Sequence, residues 1–462
     1  MSELPAGLQP AKEATPRLSG SVVVLRSREG RRELLLGVRS RRSRFMPGHW
    51  AFPGGVMDPE DEPQREGAFA RCAVRELEEE TGIALAAERL TPIGERTTPP
   101  IYPVRFHTAF FLAEVDGATP DPQPPTEEIE QLLFVRAEEV LRRWEAGECA
   151  VPPPVLPLLR TLAEEIDLPW EQLVASLSAT NEQEQTTPRI EFVPDVWMLP
   201  QRTATMPPAT HTNVWMPGGE RFVVIDPGST ESAERDRLAA TIERKQRSGS
   251  SLCGVLLTHR HQDHISGVAD LCQRFSQPLY AHPKLLEHPA VASVADRRPL
   301  ADGEDLDLGG LILRAHWTPG HDPTHIAYEG LERGWLIAGD LISGISTILI
   351  EPLTGNMGHY LDSLERMHAL GFRKLLPGHG PPIPAKAFAK LLEHRRSREA
   401  RVLAAVGERG ELAAIARGAY DDQPELPQRL IELQTRAHLQ HLEEQGKIIA
   451  IETAVWKPKG ES

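Results

Sequence analysis

Cysteine is scarce in this chain, and none of it is paired in sequence. Cys72, Cys149, Cys253 and Cys272 are widely spaced, with no Cys-x-x-Cys motif and no disulfide framework, so a reducing cytoplasm is the simplest compartment to expect. Positive charge is in deficit. A formal net charge of −15 argues against a protein that coats nucleic acid by bulk electrostatics, while leaving room for a locally basic groove. Long apolar runs are missing too: the most apolar stretch, residues 335–353, carries Asp340 in its middle and falls short of a membrane span. Residues 1–7 lack a basic start followed by an apolar core, so no secretory signal is expected. The expectation is a soluble protein with no membrane partner.

Histidine, by contrast, is concentrated. Thr258-His259-Arg260-His261-Gln262-Asp263-His264 follows the apolar run Val255-Leu256-Leu257, and a strand ending in such a loop aims several ligands at one point. Neutral imidazole and carboxylate form a donor set that suits zinc and similar divalent ions. The same arrangement recurs along the chain. Residues 221–225 lead to Asp226, residues 311–313 and Ala315 lead through Thr318-Pro319-Gly320 to His321, residues 335–339 end at Asp340, and residues 375–378 end at His379. Strands that all end in candidate ligands can deliver them to one sheet edge.

A second cluster lies near the N-terminus. Residues 68–81 read as a helix closed by Gly82, and Glu76, Glu79 and Glu80 stand at i, i+3 and i+4 on one face. Like charges crowd there unless a divalent cation neutralises them, and oxygen-only ligation suits magnesium or manganese gripping a pyrophosphate. Before this helix, residues 19–38 read as a hairpin. The arginines around it, Arg26, Arg28, Arg31, Arg32, Arg39, Arg41, Arg42 and Arg44, form either a solvated face or a positive rim for a phosphate-bearing substrate.

Pro53-Gly54-Gly55 followed by Arg75-Glu76-Leu77-x-Glu79-Glu80-x-Gly82-Ile83 resembles a Nudix box. The resemblance implies that the helix carboxylates bind Mg²⁺ or Mn²⁺, that Glu79 is catalytic, that Arg75 orients a glutamate, and that a nucleoside diphosphate derivative is hydrolysed. The pattern departs in two places: the usual glutamate eight positions before the arginine falls on Gly67, with Glu66 one step away, and Gly55 lies six residues further from Arg75 than the box normally allows. A longer loop of this kind is found in the branch that includes coenzyme A diphosphatases. The altered box also keeps open a nucleotide-sensing module that regulates the rest of the chain.

The histidine-bearing half resembles the metallo-β-lactamase superfamily. Carried over position by position, the resemblance implies that His259, His261 and His321 hold one metal, that Asp263, His264 and His379 hold a second, and that Asp340 bridges two Zn²⁺ ions. Asp263 shares the base role, Asp226 supports the ligand loop, and His325, one turn from His321, supports a ligand or touches substrate. His282, His288, His316, His359 and His368 read as surface or packing residues. Residues 394–399 and 437–448 resemble the tail of the branch containing single-strand-specific endoribonucleases, with a packing cap as the plainer reading.

The expected architecture is multidomain, mixing α/β and α+β: a Nudix α/β/α sandwich at 15–170, a polar linker at 171–189, a metallo-β-lactamase αββα sandwich at 190–385, and a small helical, winged-helix-like segment at 386–462. The expected function is a metal-dependent hydrolase fused to a Nudix domain. Its substrate is a phosphodiester such as single-stranded RNA or a thioester as in glyoxalase II, with acyl-coenzyme A made coherent by the neighbouring domain.

Overall fold

The computed structural model describes residues 11–43, 46–62, 64–124, 127–407 and 410–459. Residues 1–7, read for a leader, and Arg44 lie outside the described residues. The chain divides into two compact units, Ala14–Leu199 and Pro200–Ser462. Among the described residues no helix is long and apolar enough to cross a membrane.

In the first unit the strand Arg17–Arg28 pairs antiparallel with Arg31–Arg39, Leu25 opposite Leu34, and parallel with Phe106–Val115. Because strand side chains alternate in direction, its apolar run serves two cores. Val23 and Leu25 enter a cluster with Leu156, Leu159, Leu173 and Leu177, whereas Val22 and Val24 enter one with Ala73 and Leu77 of helix α1, Ala68–Thr81. Helices thus cover both faces of the sheet. Gly82 ends α1 in the left-handed conformation (φ 72°), and its N–H donates to the Glu78 carbonyl.

Two expectations for this unit change. Residues 171–189 are not an open linker: Trp170–Thr186 is a helix, α2, with Leu173 and Leu177 fully buried. Its polar residues have specific partners, since Asn181 donates to the Ile93 carbonyl (2.6 Å) and accepts from Arg96 (2.8 Å). The arginines are not uniformly a rim or a solvated face either. Arg26 is buried between Glu33 (2.8 Å) and Asp121 (2.7 Å), with its guanidinium over Phe134, and Arg32 donates to the carbonyls of Ile166 and Leu168.

Two sheets form the part of the second unit that precedes its tail. In one, Arg221–Ile225, Ser251–Leu256, Leu279–Ala281 and Arg297–Pro299 run parallel in sequence order, and His211–Pro217 pairs antiparallel with the first of them. The other orders Asp305–Asp307, Ile312–Trp317, Ile326–Gly330, Trp335–Gly339, Lys374–Pro377 and Ile383–Pro384. The Tyr328 hydroxyl donates to the Leu257 carbonyl and the Trp215 indole N–H to the Pro377 carbonyl, so polar groups from each sheet are satisfied by the other.

Residues 386–462 do not stand apart. Helix α3, Ala387–Val406, and helix α4, Gln428–Glu444, send Phe388, Leu392 and Ala437 into one core with Ile348, Ile350 and Leu364. Beyond it, the helix Leu412–Ala419 and a three-stranded antiparallel sheet complete the tail.

Candidate metal centres

Buried strands from both sheets of the second unit lead to its clustered histidines and aspartates. Ser251–Leu256 leads to His259, Trp335–Gly339 ends beside Asp340, and Lys374–Pro377 leads to His379. Three groups result whose ligand atoms all lie within 4.8 Å of one another: His259, His261 and His321; His259, His264 and Asp340; Asp263, His264 and His379. Asp340 stands between the outer two. Its Oδ2 is 3.5 Å from His321 Nε2, and its Oδ1 is 3.5 Å from His379 Nε2 and 3.6 Å from His264 Nε2.

Whether these side chains fit cations can be judged from where their protons go. His264 Nδ1–H donates to Asp226 Oδ2 (2.8 Å), His321 Nδ1–H to the Leu349 carbonyl (2.8 Å), and His379 Nδ1–H to the His211 carbonyl (2.9 Å). In its neutral form each of these rings would therefore turn an Nε2 lone pair to the site. Yet His264 Nε2 and His379 Nε2 are only 3.2 Å apart, and His261 Nδ1 lies 3.0 Å from His259 Nε2 and 2.9 Å from His321 Nε2. Converging lone pairs repel unless an electrophile sits among them. Asp340 Oδ1 is buried with no hydrogen-bond partner among the described residues, a further acceptor awaiting a cation. The backbone leaves room: a Cβ on Gly378 would lie 2.6 Å from Asp340 Oδ1 and 2.9 Å from His264 Cε1.

Electrostatics divides the site. Burial, reinforced by neighbouring imidazoles, holds His259 well below the ordinary histidine pKa and His321 down to about 3. Burial acts the same way on His264 and His379, but adjacent carboxylates overcome it and raise both. Burial would raise Asp263 and Asp340; the imidazoles around them, His264 and His379 foremost, bring both below the usual carboxylate range.

Asp226 sits directly behind the ligand loop in the left-handed conformation (φ 59°). It accepts from the Thr258 N–H (2.7 Å), the Thr258 hydroxyl (2.6 Å) and His264. His325 is fully buried, donating to Thr318 (2.7 Å) and accepting the Asp340 N–H at Nε2 (3.0 Å). Both ring nitrogens are thereby committed to hydrogen bonds within the fold.

The helix site of the first unit is built differently. Arg75 donates to Asp61 through Nε (3.0 Å) and Nη2 (2.8 Å), and its Nη1 reaches Glu76 Oε1 and Glu79 Oε2 (3.0 Å each). Glu80 turns the other way and accepts the Gly54 N–H (3.0 Å), with burial raising its carboxyl to about 7. The three glutamates share a helix face as expected, but they are not among the groups whose ligand atoms converge; Arg75 lies between two of them. Gly67 caps the start of α1, and the buried carboxylate facing Arg75 is Asp61. Sequence reasoning missed Asp61, as it missed the carbonyls of Leu349 and His211, which no side-chain motif announces.

Comparison with known proteins agrees with this division. The family model for the metallo-beta-lactamase superfamily matches residues 208–379, and that for the NUDIX domain matches residues 16–152. The chain is 27% identical over 253 residues to a beta-lactamase-like protein 2 homolog of Drosophila melanogaster, covering 51% of this chain and 84% of that one. It is 30% identical over 251 residues to an atrochrysone carboxyl ACP thioesterase of Aspergillus terreus, covering 52% and 71%. A beta-lactamase domain protein from Burkholderia ambifaria shares the fold at 21% identity and a TM-score of 0.50, covering 59% of this chain and 93% of that one.

Proposed function

Because the chain belongs to the metallo-β-lactamase superfamily and carries a Nudix domain ahead of that region, we propose that its second unit is a dinuclear zinc hydrolase of acyl thioesters and that its first acts on a nucleoside diphosphate derivative with Mg²⁺ or Mn²⁺. The observation that carries the first part is the position of Asp340, with one oxygen toward His321 and the other toward His264 and His379. Among the described residues, the convergent groups contain imidazole and carboxylate but no thiolate, a donor set suited to zinc. Such cations, when bound, polarise a carbonyl oxygen and activate water.

The remaining work falls to the chain. His259, His261 and His321 would hold one cation, and Asp263, His264 and His379 the other. Asp263, whose Oδ2 lies 3.3 Å from His379 Nε2, is the carboxylate that can take up the proton of an attacking water. A thiolate then departs without a dedicated acid, since an alkyl thiol has a pKa of about 8.5.

Two facts favour the thioester over single-stranded RNA. The Aspergillus terreus relative is named for a thioesterase activity. Arginines of the tail are engaged within the fold: Arg395 with Gln434, Arg398 with Asp422, and Arg401 with the Ala419 carbonyl. An acyl-coenzyme A would join both units, because it contains a thioester and a pyrophosphate in one molecule. A nucleotide-sensing first unit is the second reading, favoured by the hold of Arg75 on Glu76 and Glu79.

The test is thiol release from acyl-coenzyme A and acyl-pantetheine by the intact, zinc-loaded chain, with single-stranded RNA and a β-lactam as the other arms. His261→Ala should lose one zinc equivalent and, with that cation, thioester turnover. The thioester reading fails if both acyl substrates stay intact, and the site fails if His261→Ala keeps full zinc and full rate.

A further inference from the structure

The tail reaches the metal centre through the main chain. His321 donates its Nδ1–H to the Leu349 carbonyl (2.8 Å), and this bond decides which ring nitrogen faces the site. Leu349 belongs to the segment between the strand Trp335–Gly339 and the helix Met357–Ala369, and its own position has to be fixed. The carbonyls on either side of it are both claimed by the tail. Arg395 of α3 donates through Nη2 to the Ile348 carbonyl, and Gln434 of α4 donates to the Ile350 carbonyl (3.2 Å).

The two side chains also bond each other, with Arg395 Nη1 donating to Gln434 Oε1 (2.9 Å). Both are buried, Arg395 at 2% exposure and Gln434 at 8%. The Arg395 guanidinium lies over the Tyr360 ring (5.4 Å), and the backbone of Tyr360 packs so closely on Gly320, next to His321, that a Cβ there would lie 2.3 Å from Tyr360 Cα. A buried arginine is costly to desolvate, and apolar residues of similar volume would fill the same space. These polar groups instead converge on three successive peptide units, the middle one of which orients a candidate ligand.

We infer that Arg395 and Gln434 are positioning residues of the metal centre: acting through the Ile348–Ile350 main chain and the Leu349 carbonyl, they fix the ring of His321, so the C-terminal helices are part of the machinery that holds the cation. The inference rests on the reading of His321 as a ligand, and the experiment separates the two. Outer partners of metal-bound histidines typically contribute about 10–100-fold in metal affinity.

The intact chain is titrated with Zn²⁺ against a chromophoric chelator, and Co²⁺ is added in parallel so that its visible absorption reports ligand geometry. The variants are Arg395→Met, Gln434→Ala, His321→Ala and, as a control for lost tail packing, Ile415→Ala, a fully buried residue in the outer core of the tail. Arg395→Met and Gln434→Ala should each weaken binding of one cation about tenfold or more and alter the Co²⁺ spectrum. Ile415→Ala should lower the melting temperature and change neither. Gln434→Ala leaves the charge of Arg395 in place, so it decides the matter even if Arg395→Met fails to fold. Unchanged affinity and spectrum in Gln434→Ala, or an equal loss in Ile415→Ala, overturns the inference. Full binding by His321→Ala overturns instead the ligand reading on which it rests.

Discussion

At the scale of single residues, the centre of the second unit depends as much on groups that cannot touch a cation as on those that can. Asp226 accepts three hydrogen bonds behind the ligand loop from a left-handed backbone that few residues other than Gly, Asn and Asp adopt readily. Asp226→Asn should therefore keep the backbone while weakening the acceptor for His264 Nδ1–H, lowering zinc affinity about 10–100-fold in a chelator competition. Glu80 offers a test with a definite sign. Its carboxyl is raised from 4.5 to about 7 by burial, so between those values the folded chain holds a proton that the unfolded chain has lost. Stability of the first unit should then fall as pH rises from 4.5 to about 7 and level off above. Thermal melting of Glu80→Gln should show a smaller fall over the same window. The candidate ligands are legible in the sequence because they are distinctive side chains in the loops that follow apolar strands. Asp61 was not. It stands among Asp58, Glu60, Glu62 and Glu66, and only the folded loop shows which carboxylate of that run meets Arg75.

At the scale of elements, periodicity succeeded where one face was plainly apolar and failed where polar residues had hidden partners. The hairpin Arg17–Arg39 and helix α1 follow from alternation and from the Gly82 cap. Helix α2 reads as a polar linker because residues 176–188 are mostly Ser, Thr, Asn, Gln and Glu, and its two buried leucines, four residues apart, are diluted in the composition. Leu177→Ala should cost about 2–5 kcal/mol, as buried leucine truncations do, read as a lowered denaturation midpoint of the first unit. A linker would tolerate the change. The tail agrees with the plainer reading of a packing cap, since its arginines are satisfied by Asp421, Asp422, Gln434 and main-chain carbonyls.

At the scale of the whole molecule, two hydrolase folds share one chain and offer different candidate donors: carboxylates on a helix in the first unit, imidazole and carboxylate beyond the strands of two sheets in the second. The sites have no residue in common. Glu79→Gln should abolish turnover of a nucleoside diphosphate derivative and leave thiol release from acyl-pantetheine unchanged, with nucleoside monophosphate formation and thiol release measured on the same preparation. If the unaltered chain binds the nucleotide without turning it over, the sensing reading of the first unit takes precedence. The net charge of −15 is consistent with small anionic substrates being captured by local groups and not by the field of the whole surface.

Gly378 bears on how chains of this kind are recognised as competent. A methyl group at that position would press on Asp340 and His264 while leaving all seven candidate donors in place. A gene copy carrying Gly378→Ala would pass any scan for the histidines and aspartates, yet should push Asp340 and His264 from their places. Inventories of intact and decayed copies therefore need to score the empty volume beside the donors as well as the donors themselves.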